Sequence, residues 1–258
     1  MTDLSIPVAL LAVIFTFVAF FYSSVGLGGG SSYTALLAIF GANAAAIPMV
    51  SLTLNIIVTT IGAIAFLMNG HARLRLIAPF LITSIPMAYL GGMLQLPKII
   101  FYIILIISLF VASFRIYFPK KARTLKLNNK GKYIIALVCG ALLGFVAGVT
   151  GIGGGIYLVP LILLIGLGTA KEAAACGAFF IWVNSVSGLL ARYQHNAIDI
   201  ESYLPLVVGV VIGGLGGSLL GAGRFHPQTM QKILGSILVV ALFLLSKKVI
   251  VLIGLTDI

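Results

Sequence analysis

The sequence predicts an all-α protein, a polytopic bundle of transmembrane helices made of two homologous halves. Of the 258 residues, 61% are hydrophobic and 8% are charged, whereas a soluble domain has about 25% charged residues. The mean hydropathy is +1.21. A glycine-rich segment also occurs twice, which indicates a duplication. Since this composition cannot cover a surface in water, we expect the lipid bilayer to be the surrounding solvent.

Eight apolar stretches are long enough to cross a bilayer, which takes about 20 residues. They are residues 5–25, 45–68, 76–94, 99–118, 133–150, 173–192, 202–222 and 228–246. Two shorter apolar stretches, 31–41 and 156–167, each follow a glycine cluster. The predicted division is a first transmembrane repeat at 1–118, a basic cytoplasmic linker at 119–132 and a second repeat at 133–258.

The duplication is visible at several landmarks. Residues 26–30 (GLGGG) recur as residues 151–155 (GIGGG), displaced by 125 positions. Three further pairs follow in the same order, namely Pro79 with Pro205 and Gly91 with Gly217, both displaced by 126, and, after a local shift, Asn55 with Asn184. This order and spacing predict two similar units of about half the chain each.

The basic residues predict the orientation. With the linker in the cytoplasm, 12 Lys and Arg residues fall inside and 4 fall outside, as the positive-inside rule requires. The outer set is Lys98, Arg192, Lys247 and Lys248, of which the last two fit least well. Each half then has an odd number of crossings, so the halves are inverted, as in many secondary transporters. Eight crossings with parallel halves are the alternative.

The paired glycine clusters are the candidate site. Three glycines in succession favour a helix break, and broken backbone inside a bilayer must be buried in protein or line a cavity. The short helix after each break would present free N–H groups and its positive dipole end, which suit a small anion. The candidate binding residues are Ser24, Gly28, Gly29, Gly30, Ser31, Ser32, Asn55, Thr150, Gly153, Gly154, Gly155, Asn184 and, as a charge in the vestibule, Arg192. Close helix packing is the alternative for these glycines and the expected explanation for the run at 213–221.

The polar residues lead us to expect that several functions are absent. The carboxylates lie near helix ends, so we expect no carboxylate relay, and transport would be facilitated diffusion or be coupled through the protonation of the substrate itself. No catalytic, cofactor or metal-binding motif occurs, so we expect no enzyme activity, no cofactor and no metal. The expected partners are a small anion and the lipid bilayer, not nucleic acid, and a homodimer is compatible with this architecture.

Taken in order, these segments resemble the TauE/SafE sulfite exporter family, the TSUP permeases. The segments are the first glycine triplet, GVTGIGGGIYLVPLILL at 148–164, the Ala-rich helix after it, HNAID at 195–199, Pro205 and the glycine run at 213–221. Where family members often have Gly-Thr-Ser, this chain reads CGAFF at 176–180, which lacks the two hydroxyls. The resemblance implies an inner-membrane permease, often an exporter, for small sulfur-containing anions such as sulfite, sulfoacetate or other sulfonates. An anion channel, or a permease for a small carboxylate without sulfur, is the alternative.

Overall fold

The computed structural model describes residues 4–68, 74–117, 128–195, 201–224 and 227–252. These ranges form ten α-helices and one 3-10 turn (Glu201–Tyr203), and they contain no β-strand. The helices are α1 (Val8–Ser24), α2 (Gly30–Ile39), α3 (Ala46–Met68), α4 (Leu74–Met93), α5 (Lys98–Tyr117), α6 (Asn129–Thr150), α7 (Gly155–Leu164), α8 (Ala170–Tyr193), α9 (Leu204–Arg224) and α10 (Pro227–Leu252). The prediction of an all-α fold is confirmed.

Seven of the described helices are long and apolar enough to cross a membrane, namely α3, α4, α5, α6, α8, α9 and α10. The helix α1 has 17 residues, and α2 and α7 have 10 each. Each predicted span corresponds to one of these helices, and the two short stretches predicted after the glycine clusters are α2 and α7. The helices are therefore those of a multi-pass membrane protein.

The helix α6 begins before residue 132, where the predicted linker ends. Residues 119–127 of the linker, like residues 196–199, lie outside the described ranges. The helix α6 already begins at Asn129, because the side chain of Asn128 accepts a hydrogen bond from the Gly131 N–H at 2.7 Å. An Asn at this position satisfies one of the N–H groups that a helix start leaves free, so the basic residues Lys130 and Lys132 belong to the first turn of α6.

Large apolar side chains cover much of the outside. Phe17, Leu142, Phe243 and Leu219 are exposed to between 61% and 79%. These side chains lie on four different helices, so the apolar exposure extends around the bundle. Lipid tails solvate such a surface, whereas soluble proteins rarely expose large continuous apolar areas. The exposed side chains thus support the membrane setting that composition predicts.

Two breaks interrupt the helices where the glycine clusters are duplicated. Residues 25–29 separate α1 from α2, and residues 151–154 separate α6 from α7. At the residue before each short helix the backbone is left-handed, with φ of +91° at Gly29 and +77° at Gly154. Glycine reaches this region without the steric penalty that a Cβ atom causes. The prediction of broken helices at both glycine clusters is confirmed.

Each break turns the chain back on itself. The Ser5 N–H donates to the Phe40 carbonyl at 2.8 Å, so α2 ends beside the start of α1. In the second half, Lys132 Nζ donates to the Gly166 carbonyl at 3.3 Å, so α7 ends beside the start of α6. The pairs α1–α2 and α6–α7 are therefore helical hairpins, and the outer ends of each hairpin lie on one side of the molecule.

Lys248 has a structural role at the end of the first hairpin. Its Nζ donates to the carbonyls of Ala38 at 2.8 Å and Ile39 at 3.0 Å. These are among the last carbonyls of α2, which lack partners within the helix, and a cation stabilises the negative end of the helix dipole. This contact accounts for a lysine that fitted the charge rule least well, and it places the end of α10 on the same side as Ser5.

Two rows of glycines let helices from opposite halves pack closely. A Cβ added to the glycines of α6 would contact α4, at Phe80 from Gly140, at Ser84 from Gly144 and at Ala88 from Gly148. A Cβ added to the glycines of α9 would contact α1, at Ala12 from Gly209, at Thr16 from Gly213 and at Phe20 from Gly217. In each pair the residue numbers rise together, so α6 runs parallel to α4 and α9 runs parallel to α1.

The same contact occurs in both rows with the halves exchanged. Gly91 of α4 faces the Phe145 carbonyl of α6, and Gly217 of α9 faces the Phe20 carbonyl of α1. The residue pairs are displaced by 126 and 125 positions, the spacing found in the sequence. The first helix of each half therefore packs on the fourth helix of the other half, and Gly213 and Gly217 make the packing contacts predicted for their run.

The close packing of α4 and α6 makes Gly148 intolerant of a side chain. A Cβ there would overlap the Ala88 carbonyl, whereas a Cβ at Gly62 of α3 would meet no atom within 4 Å. We expect Gly148→Ala to lower the free energy of unfolding by about 1–3 kcal/mol through overpacking. Gly62→Ala is the control and should be neutral or stabilising, because alanine favours helix over glycine. The measurement is the thermal midpoint of each variant in detergent, and equal midpoints for the two variants would contradict the packing.

Candidate functional site

The two breaks meet at the middle of α3, around Asn55. A Cβ at Gly30, the first residue of α2, would overlap Asn55 Nδ2 and lie 2.6 Å from the Ile152 carbonyl of the other half. A Cβ at Gly28 would lie 2.7 Å from Asn55 Oδ1, and one at Gly153 would lie 3.0 Å from Asn55 Nδ2. The Asn55 side chain is the nearest obstacle at Gly28 and Gly30, whereas at Gly153 Ile181 is nearer and the backbone φ of +84° also favours glycine. The structure thus brings both predicted glycine clusters and Asn55 together.

The residue of α8 that corresponds to Asn55 is Ile181. Its side chain lies 2.7 Å from a Cβ added at Gly153 and 3.1 Å from one added at Gly28, and it overlaps one added at Gly155. Ile181 therefore touches both breaks, as Asn55 does, at a displacement of 126 residues. The two positions are equivalent in space, but one side chain is a polar amide and the other is apolar.

The predicted pairing of Asn55 with Asn184 needs correction. Asn184 lies three residues beyond Ile181 on α8 and is buried. Its Nδ2 donates to the Phe180 carbonyl of its own helix at 2.8 Å. The helices of the two asparagines correspond, but the asparagines do not occupy equivalent positions, because the local shift that aligned them does not occur in the structure.

Free backbone donors line both starts of the short helices. Within the described ranges, the N–H groups of Gly30 and Ser31 in α2 and of Gly155 and Ile156 in α7 donate to no acceptor. The first N–H groups of any helix lack partners inside it, and the helix dipole adds a positive partial charge there. Gly30, at the start of α2, contacts Ile152 in the break before α7. The positive ends of the α2 and α7 dipoles therefore lie close together. Such an arrangement attracts a negative charge.

A small hydroxyl network joins the two breaks. Ser51, one helical turn before Asn55, is fully buried, and its Oγ lies 2.9 Å from the Gly151 carbonyl and 3.2 Å from the Gly30 carbonyl. Asn55 Nδ2 donates to the same Gly151 carbonyl at 3.2 Å. Thr34 Oγ1 lies 2.7 Å from the Gly30 carbonyl and 2.8 Å from Ser51 Oγ. The Gly151 carbonyl lies in the break and receives its donors from α3, whereas the Gly30 carbonyl, at the start of α2, accepts these hydroxyls beside its bond within the helix.

Sequence reasoning missed Ser51 and Thr34. A signal for Ser51 was available, because Ser51 and Asn55 are four residues apart in an otherwise apolar helix and so share a face. Polar residues on one face of a membrane helix normally point into the protein rather than to lipid.

The predicted hydroxyl donors have partners within the first and second hairpins. Ser31 Oγ and Ser32 Oγ lie 2.7 Å and 3.0 Å from the Tyr22 hydroxyl. Ser24 Oγ donates to the Phe21 carbonyl at 2.7 Å, and Thr150 Oγ1 donates to the Val146 carbonyl at 2.7 Å. In this conformation the hydrogens of Ser24 and Thr150 are engaged within their own helices. A direct contact of these four hydroxyls with a substrate stays a prediction.

Arg192 is placed differently from the predicted vestibule charge. The residue is only 6% exposed, and its Nη2 donates to the carbonyls of Gly148 at 2.8 Å and Val149 at 2.7 Å. These carbonyls belong to the last turn of α6, just before the second break. A guanidinium there satisfies helix-end carbonyls and stabilises the negative dipole end. Arg192 therefore stabilises the end of α6 next to the second break.

The described carboxylates lie away from the breaks. Glu172 and Thr169 form a reciprocal capping box at the start of α8, and Glu201 is exposed in the 3-10 turn. Among the residues whose side chains are described, the buried charged residue is Arg192. No cluster of three potential metal ligands occurs in the described part of the chain.

The contacts of Arg192 predict a defect in stability when the side chain is removed. Arg192→Met should leave the two α6 carbonyls without donors and lower the free energy of unfolding by about 1.5–3 kcal/mol, the value of a hydrogen bond to a charged group. The thermal midpoint in detergent measures this, and the KM for substrate in proteoliposomes should change less than threefold. A large rise in KM with an unchanged midpoint would instead show that Arg192 acts as a charge for the substrate.

The comparisons with known proteins agree with this architecture. The sequence profile described as Sulfite exporter TauE/SafE matches residues 11–245. A probable membrane transporter protein, y4hK of Sinorhizobium fredii, is 34% identical over 236 residues, which cover 90% of this chain and 95% of the relative. The probable membrane transporter protein YjnA of Bacillus subtilis is 24% identical over 242 residues, 87% of this chain and 94% of the relative. No solved structure matches the chain. With this coverage by the profile and by the relatives, the chain belongs to the TauE/SafE sulfite exporter family of membrane transporters.

Proposed function

We propose that the protein is an alternating-access permease for small sulfur-containing anions, with one binding site where the two breaks meet. The observation that carries the proposal is the convergence of two helix starts, each with free N–H groups, at positions where only glycine fits. Backbone donors that no side chain shields can approach a small oxyanion closely. The fixed dipoles are oriented before the anion arrives, so little reorganisation is needed to bind it.

The directions of the helices support inverted halves. The hairpin α1–α2 opens on the side of Ser5 and Lys248, and the hairpin α6–α7 opens on the side of Lys132. The parallel pairs α1 with α9 and α4 with α6 agree with this arrangement. Inverted repeats around a shared central site give two related conformations, one open to each side of the membrane. A rocking motion of one half against the other would then move the anion across.

The family resemblance supports a sulfur-containing anion as the substrate. The name of the family supports export as the direction of transport. Sulfite, sulfoacetate and other sulfonates are small anions with several acceptor oxygens, which match donors from two helices. The distribution of basic residues supports the inner membrane as location, with the linker in the cytoplasm. A small carboxylate is the competing substrate class, and a channel is the competing mechanism, because the same backbone donors suit both.

The experiment is uptake of labelled sulfite, sulfoacetate, thiosulfate and acetate into proteoliposomes, with and without an imposed pH gradient. We expect saturable uptake of at least one sulfur anion, exceeding that of acetate. Preference for acetate would favour the carboxylate permease, and uptake that does not saturate would favour the channel. A response to the gradient would indicate coupling through the protonation of the substrate, and no response would indicate facilitated diffusion.

A further inference from the structure

The amide of Asn55 leaves one acceptor without a partner at the proposed site. Asn55 is fully buried, and its Nδ2 donates to the Gly151 carbonyl at 3.2 Å. A carbonyl oxygen can only accept, so the amide atom that faces it is assigned as the nitrogen. Oδ1 is buried and accepts no hydrogen bond in the described part of the chain. It is one of seven buried side-chain polar atoms without a partner in the described part of the chain, and it is distinguished by its position where the two breaks meet.

The free acceptor lies beside the free donors. A Cβ at Gly28 would lie 2.7 Å from Oδ1, and Gly30, whose N–H is free, abuts the nitrogen of the same amide. The equivalent position in the second half is Ile181, which has no polar side-chain atom. The convergence point therefore has backbone donors from both halves and the amide acceptor of Asn55 from the first half. The Tyr33 hydroxyl, also buried and unpaired, lies 2.7 Å from a Cβ added at Gly29 of the first break.

This combination distinguishes between anions. An anion that has only acceptor oxygens can use the helix donors, but it leaves Oδ1 without a hydrogen and brings negative oxygens near it. An anion that also carries an O–H or N–H can place its charged oxygens at the helix starts and donate its hydrogen to Oδ1. A site with a buried polar group rejects ligands that cannot pair with that group.

We propose that Asn55 is a specificity-determining residue that selects anions carrying a hydrogen-bond donor of their own. The substrate class is small hydroxy- or amino-substituted anions and monoprotonated oxyanions. The proposal rests on the proposed function, since it assigns the substrate class of the same site. An unpaired buried acceptor lowers affinity by about tenfold to a hundredfold, and we expect discrimination of that size.

The test uses two pairs of anions that differ by one hydroxyl group, 2-hydroxyethanesulfonate with ethanesulfonate and glycolate with acetate. All four are ionised at neutral pH, so titration does not affect the comparison. Equilibrium dialysis of the labelled anions against the purified protein in detergent measures each Kd. We expect the hydroxylated member of at least one pair to bind about 10–100-fold more tightly. In Asn55→Leu this ratio should fall to about one, through weaker binding of the hydroxylated member.

Two variants keep the result interpretable. Thr53→Val is the matched control, because Thr53 lies on the same helix and its hydroxyl donates only to the Met49 carbonyl at 2.9 Å. It should retain the ratio of the natural protein. Should Asn55→Leu not fold, the exchange Asn55→Ile with Ile181→Asn moves the acceptor to the other half and should preserve the preference. Loss of the preference in a folded exchange variant would overturn the proposal.

The remaining outcomes separate this proposal from the proposed function. Equal binding of both members in the natural protein, or a preference that persists in Asn55→Leu, overturns the role of Asn55 and leaves anion transport standing. Failure of all four anions to bind, while a sulfur anion is taken up by proteoliposomes, also overturns only this inference. Absence of both binding and uptake contradicts the proposed function itself.

Discussion

The structure depends on how the polar backbone of two broken helices is satisfied inside a membrane. Hydrocarbon offers no hydrogen bonds, so a break is stable only where other parts of the protein supply them. At the second break Ser51 and Asn55 donate hydrogen bonds to the Gly151 carbonyl. Arg192 donates to the carbonyls of Gly148 and Val149. The donors from α3 come from the opposite half of the chain. The second half thus depends on the first for the hydrogen bonds that keep its backbone broken.

The carbonyls at the breaks have partners, but the N–H groups at the starts of α2 and α7 do not. This asymmetry gives the two helix starts a positive character that comes from the backbone. The opposite ends of the short helices are neutralised by lysines, Lys248 at α2 and Lys132 at α7. On the proposed function, an anion at the centre would complete the hydrogen bonding of the interior and so link binding to the architecture.

The sequence was sufficient for the helices and the breaks, because length, apolarity and repeated glycines act locally. It was insufficient for contacts that depend on register between helices. Asn184 was matched with Asn55 by residue type, whereas the packing matches Ile181 with Asn55 at the spacing of the repeat. Arg192 lies at a helix end, which suggested exposure, but α6 ends beside it and takes up its guanidinium. Ser51 could have been found from its position on the face of Asn55.

The central claim is that both breaks form one site that a single change can disable. The direct measurement is substrate flux in proteoliposomes for Gly29→Leu and Gly154→Leu, each shown to be folded by size-exclusion chromatography. Gly41→Leu and Gly166→Leu are the controls, since these glycines also have positive φ, +89° and +62°, but lie at the far ends of the short helices. The account predicts loss of flux in both break variants and retained flux in both controls. Retained flux in the two break variants would contradict it and leave the glycines with a packing role alone.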